Sequence, residues 1–159
     1  MVLPTLFQPF LIWQSDMIAS NRCVELIKRF EGYRFKAYQC PAGVWTIGYG
    51  HTKGVKKGDY LTHTDAEKLL KEDITAVESE IKNIIKVPLS ANQWDAIVSF
   101  VFNVGIEAFK RSTLLVKLNE GDLKSCGKEI KKWIYCKGVV SKGLQKRRDA
   151  EAKLFNENA

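Results

Sequence analysis

Cysteine, proline and histidine are all scarce in this sequence: 4 Cys, 4 Pro and 2 His among 159 residues. So few cysteines exclude a disulfide-stapled miniprotein. Cys23, Cys40, Cys126 and Cys136 show neither CxxC spacing nor paired histidines, so no zinc or other metal site is expected. Only 11 Gly and 4 Pro exclude collagen-like order, and 8 Phe, 5 Tyr and 4 Trp exclude a disordered chain. There is no internal repeat, low-complexity tract or flexible linker. No basic residue precedes Arg22, and the apolar stretch Val2 to Trp13 is interrupted by Pro4, Gln8 and Pro9. That stretch does not read as a cleavable signal. It is also well short of the roughly 20 residues of a membrane span, so no stable membrane anchor is expected. Met17 could be a native start, which leaves residues 1–16 as an extension of uncertain role. The other readings are a degenerate export anchor or an apolar flap folded onto the body.

Acidic residues are also in deficit, with 18 Asp and Glu against 25 Lys and Arg, a net charge of +7. Such a surplus attracts polyanions: nucleic acid, anionic lipid or an acidic cell-wall polymer. No nucleic-acid-binding motif accompanies it, and no nucleic-acid partner is expected. The apolar share of 45% suits a soluble fold. A chain of this length can bury roughly two thirds of its unfolded surface in one domain.

Residues 19–31 read as a short amphipathic helix capped by Ser20 or Asn21 and ended by Gly32. From Tyr33 to Gly50, β formers broken by Pro41, Gly43, Gly48 and Gly50 predict a small antiparallel sheet. Thr64-Asp65-Ala66-Glu67 fits a capping box. It would open a helix to about Ile85, about 30 Å long and able to bridge two lobes, with Pro88 stopping it. Trp94 to Val104 is apolar nearly all round and belongs at the centre of a core. Further helices are expected at about 112–119, 122–135 and 143–156. The prediction is an α+β fold: a small N-terminal lobe (about 17–64), a connecting helix (about 65–85) and an all-helical C-terminal lobe (about 86–159).

Within the first lobe, Glu31 closes a helix. It is followed after eight residues by Cys40, after five more by Thr46, and then by Gly48-Tyr49-Gly50-His51. With Phe30-Glu31-Gly32, Ala37-Tyr38-Gln39-Cys40 and Trp45-Thr46-Ile47-Gly48-Tyr49-Gly50-His51-Thr52, the chain resembles the phage-type lysozymes, or endolysins. Their signature is Glu, eight residues, Asp or Cys, five residues, Thr. The resemblance continues through Ala91-Asn92-Gln93-Trp94-Asp95-Ala96, Phe100-Val101-Phe102-Asn103-Val104-Gly105 and Ser112-Thr113-Leu114-Leu115. It ends with Lys132-Trp133-Ile134-Tyr135 and Gly143-Leu144 before Arg147-Arg148, and so spans about residues 20–155.

The resemblance implies a lysozyme-like fold with a three-stranded sheet in one domain over 17–159. It also implies hydrolysis of the β-1,4 bond between N-acetylmuramic acid and N-acetylglucosamine in bacterial peptidoglycan, without a cofactor. Glu31 would be the general acid, since such cleavage needs a proton donor for the leaving oxygen and a second group for the attacking water. Half-burial where helix meets sheet would help it keep that proton. Thr46 would orient the water. Cys40 stands where Asp is commoner, and a thiol can act as a base only as thiolate. Three readings follow: Cys40 as base or nucleophile, as a bystander, or masked in a disulfide, for which Cys23 is the nearest thiol. Phe102, Asn103 and Ser112 would contact substrate, or simply pack. By resemblance His51 is a sheet-end residue held by a carboxylate.

Trp133 and Tyr135 read as core more readily than as sugar platforms. Cys126 and Cys136 read as core residues or a local disulfide. The basic run Lys137, Lys142, Lys146, Arg147, Arg148 reads as a solvated face that could also hold the acidic stems of the wall. A lytic transglycosylase giving 1,6-anhydro products and an inactive wall-binding module are the rival functions. The enzyme would be a monomer made in the host cytoplasm. It would act on the wall in the periplasm, which it would reach through a holin-type partner.

Overall fold

The structure, a computed structural model, describes residues 16–157. The reading of residues 1–16 as an extension falls outside these residues except at Asp16. The described chain enters through Met17, which is buried in the core. Two buried carboxylates then grip the backbone: Ala19 N–H donates to Glu78 (2.9 Å) and Ser20 N–H to Asp95 (2.9 Å). Helix α1 (Asn21–Glu31) starts at the expected cap, Ser20, whose hydroxyl accepts from the Arg22 N–H. Gly32, at φ +68°, returns its N–H to Lys28 and ends the helix one residue after Glu31.

Strands β1 (Arg34–Gln39) and β2 (Trp45–Gly48) form an antiparallel hairpin that pairs Tyr38 with Thr46. The sheet is two-stranded rather than three-stranded. A third edge survives only as the bridge between Lys36 and Tyr60, flanked by Ala37 N–H to Asp59 and Leu61 N–H to Phe35. That segment has no room to extend, because Gly58 turns before it and the cap of the next helix, Thr62, follows at once.

Helix α2 (His63–Lys82) is capped by Thr62, whose side chain accepts from the Asp65 N–H (3.2 Å). The expected box at Thr64 therefore sits inside the first turn, and Glu67 pairs instead with Lys28 (2.5 Å). The helix stops at Lys82, well before Pro88. Helix α3 (Ala91–Val104) opens with a full capping box between Ser90 and Gln93. Nine of its residues are buried, which makes it the central core helix that its apolar sequence predicts. Helices α4 (Ile106–Lys110), α5 (Thr113–Asn119) and α6 (Leu123–Lys131) follow, and α7 (Lys142–Asn156) packs along α3 and α6. Phe100 of α3 meets Phe109 and Trp133 edge-on, at 6.3 and 5.6 Å between ring centres. Truncating so buried a ring costs about 3–5 kcal/mol.

The C-terminal lobe is not wholly helical. The helix expected to reach 135 ends at Lys131, and β3 (Tyr135–Cys136) pairs antiparallel with β4 (Val139–Val140). Lys137 (φ 51°) and Gly138 (φ 78°) turn the chain with two positive φ angles, the geometry that suits a two-residue hairpin loop. This hairpin leaves Tyr135 62% exposed, which corrects its reading as core. Cys136 is likewise exposed and unpaired, whereas Cys126 is in the core. Among the described residues no helix is long and apolar enough to cross a membrane.

Candidate active site

Glu31 is the last residue of α1, and its side chain is 20% exposed. Its Oε1 accepts from Arg147 Nη1 at 2.6 Å. Its Oε2 lies against Gly50, where an added Cβ would stand only 2.7 Å away. Gly50 also holds φ +76°, so both backbone and space demand glycine there. The carboxylate is thus bracketed by α7 on one side and by the turn after β2 on the other.

Cys40 and Thr46 meet across that hairpin. The Cys40 N–H donates to the Val44 carbonyl (3.0 Å), and Gly43 N–H donates back to Cys40 (2.8 Å). Thr46 is buried and its hydroxyl donates to Val44 O at 3.0 Å. The Cys40 thiol is held below its ordinary pKa by the backbone at Val44, then by that at Ala42 and by the Thr46 hydroxyl. Partial desolvation opposes them. The Thr46 proton can serve only one acceptor at a time, so its hydroxyl can switch between Val44, the sulfur and a water. All four thiols are free. Burial pushes the Cys23 thiol far up and Cys126 up to about 12, which leaves both protonated and inert.

His51 sits at the end of the hairpin with Nδ1 2.8 Å from Asp73 and Nε2 3.0 Å from the Lys53 carbonyl. It is held by a carboxylate as the resemblance implies. Phe102 lines a hollow of about 210 Å³ with Gly50, His51, Lys53 and Asp73. Its neighbour Asn103 lines a second hollow of about 500 Å³ with Trp133, Tyr135, Leu144 and Arg148. Ser112 is buried, and its hydroxyl is hydrogen-bonded within the protein. It donates to Phe109 O (2.7 Å) and accepts from Leu115 N–H (3.1 Å) as the cap of α5.

The basic run divides. Lys137, Lys142 and Lys146 are exposed, but Arg147 and Arg148 are 3% and 0% exposed, so these two are not part of a solvated face. Arg147 Nη2 reaches the Ser99 carbonyl (3.2 Å), and Arg148 Nη2 donates to Asn103 Oδ1 (2.8 Å). Both arginines pair with buried Glu151 at 3.0 Å. Burial pushes the Glu151 carboxyl up and the Arg148 guanidinium down, and each charge offsets the penalty on the other. The composition-level reading missed this network. Its signal was helical spacing: Arg148 falls on the same face as Ala152 and Phe155, a core-facing stripe. No described cluster of three or more His, Cys, Asp or Glu could hold a metal ion.

A family model described as phage lysozyme matches residues 28–151. The chain is 50% identical over 143 residues to an endolysin of Acyrthosiphon pisum secondary endosymbiont phage 1, covering 87% of this chain and 98% of that relative. It is 40% identical over 122 residues to a SAR-endolysin of Bacteriophage PS119, covering 76% of this chain and 73% of that protein. Among solved structures it resembles the muramidase domain of SpmX from Asticaccaulis excentricus. That match has a TM-score of 0.82 and 41% identity over 89% of this chain and 99% of that one.

Proposed function

The chain belongs to the phage lysozyme family, and from that premise we infer an endolysin that hydrolyses the β-1,4 bond between N-acetylmuramic acid and N-acetylglucosamine in bacterial peptidoglycan. The observation that carries the reading is Glu31 at the α1 terminus, with Oε1 fixed by Arg147 and Oε2 against Gly50 in the turn after β2. Residues 17–159 act as one catalytic domain.

In the reaction, protonated Glu31 gives its proton from Oε2 to the glycosidic oxygen as the bond from that oxygen to the sugar C1 breaks. Water attacks C1 from the opposite face and inverts it. The Cys40 thiolate takes a proton from that water. Its lowered pKa supports this role over that of bystander, and its free thiol supports it over that of disulfide partner. Thr46 orients the water, since its hydroxyl both accepts and donates. Phe102 and Asn103, adjacent on α3, contact the glycan in the two hollows they line. Ser112, the cap of α5, is the third substrate-binding candidate. The basic surface draws the enzyme to the acidic wall. We assign synthesis to the host cytoplasm, passage through a holin-type partner, and action as a monomer in the periplasm.

The test is wall clearing by wild type and Glu31→Gln, with mass spectrometry of the products. Wild type should release hydrated muropeptides, and the variant should lose about 100-fold or more in rate. Products one water lighter would point to the transglycosylase instead, and equal clearing by both proteins would remove Glu31 as the acid.

A further inference from the structure

Glu151 lies on α7 one turn after Arg147, is fully buried, and has no contact with Glu31, Cys40 or Thr46 among its hydrogen bonds. Its Oε1 nevertheless accepts from three donors: Arg147 Nε (3.0 Å), Arg148 Nη2 (3.0 Å) and the Ser99 hydroxyl (3.1 Å). The two guanidiniums then diverge. Arg147 Nη1 reaches Glu31 Oε1 at 2.6 Å, and Arg148 Nη2 reaches Asn103 Oδ1 at 2.8 Å. A guanidinium is a rigid planar fork, so fixing one nitrogen aims the others. From α1 the Glu31 carboxylate and the Cys23 thiol face this cluster, and from α3 Ser99 and Asn103. Glu151 thus stands as the buried carboxylate opposite two buried arginines, and ions out of water are kept only when paired in this way.

We propose that Glu151 is a positioning residue for glycan cleavage. Through one oxygen it sets both the arginine that holds Glu31 and the arginine that aims Asn103 into the substrate hollow. One side chain thereby registers the proton donor against a residue that grips the sugar, although the two come from different helices. The inference rests on Glu31 being the acid.

Glu151→Gln keeps the shape and an acceptor oxygen but removes the charge. Steady-state cleavage of soluble, uncrosslinked glycan strands should show kcat falling about tenfold or more, and by a larger factor than KM rises. Circular dichroism at the assay temperature checks that the variant is folded. Unchanged kcat in the folded variant overturns the proposal. If Glu151→Gln does not fold, Ser99→Ala, which removes one neutral donor to the same oxygen, should lower kcat about threefold, and an unchanged kcat there overturns it equally. Wild type releasing no reducing ends from the strands would remove the muramidase reading, and this proposal with it. An active wild type with an unaffected variant removes the positioning role alone.

Discussion

The two halves of the proposed catalytic site are built by different means. Glu31 is fixed by residues far away in the sequence: Arg147 on α7, itself held by Ser99 and Glu151. Cys40 and Thr46 are fixed almost entirely by their own hairpin, through backbone bonds at Val44 and Gly43 only a few residues away. One half is a buried charge network and the other a half-exposed turn. The proposed acid is therefore tied to the core, whereas the proposed water-activating pair is tied to a small, two-stranded sheet.

Mutations should separate these halves. The largest effect on stability is expected from Arg147→Met, which strips Glu31 of its ion pair and leaves buried Glu151 with Arg148 alone. Urea unfolding should show a loss of about 3–5 kcal/mol. If the loss is no larger than for hairpin variants, the contrast fails. Gly50→Ala comes next. Positive φ and the 2.7 Å approach of Glu31 should cost about 1–3 kcal/mol and also lower kcat by displacing the acid. Gly43→Ala is its control in the hairpin. Its φ is +80° but nothing lies within 4 Å of the new Cβ, so thermal melting should register the strain while kcat stays within about twofold.

Thr46→Val should reverse the ranking. It loses one hydrogen bond, about 1 kcal/mol, but kcat should fall about tenfold in a glycan-strand assay. The subtlest difference is in pH. The Cys40 thiol is held below its ordinary value and must be thiolate to act, so activity should rise with pH through a limb below the free-thiol value of about 8.5. The same depression favours the folded state above the unfolded-state pKa, and that contribution is lost as pH falls through the folded value. Cys40→Asp should carry the limb to lower pH, and a limb that does not move would remove Cys40 as the base.

The hairpin half was legible from residues alone, because every determinant lies in one short stretch. Glycines at the turns, alternating β formers and the Glu31, Cys40, Thr46 spacing are local properties. The core helix α3 was legible for a similar reason, its apolar residues circling the whole axis. Failures came where neighbours decide. Tyr60 forms a bridge rather than a strand because Thr62 claims the chain for a helix. The helix expected over 122–135 stops at Lys131, and Tyr135 opens a hairpin with Val140 instead.

The sequence by itself determined the family and the lysozyme-like architecture and nominated the triplet of Glu31, Cys40 and Thr46, since these reside in residue types at short, ordered spacings. Only the tertiary structure decided what Arg147, Arg148 and Glu151 are for. Composition counts two arginines and a glutamate as surface charge. Burying them together on α7, against Ser99 and Asn103 of α3 and the end of α1, makes them the frame of the acid. A charge buried alone would be too costly to keep, and whether a countercharge waits beside it is set by which helices pack together.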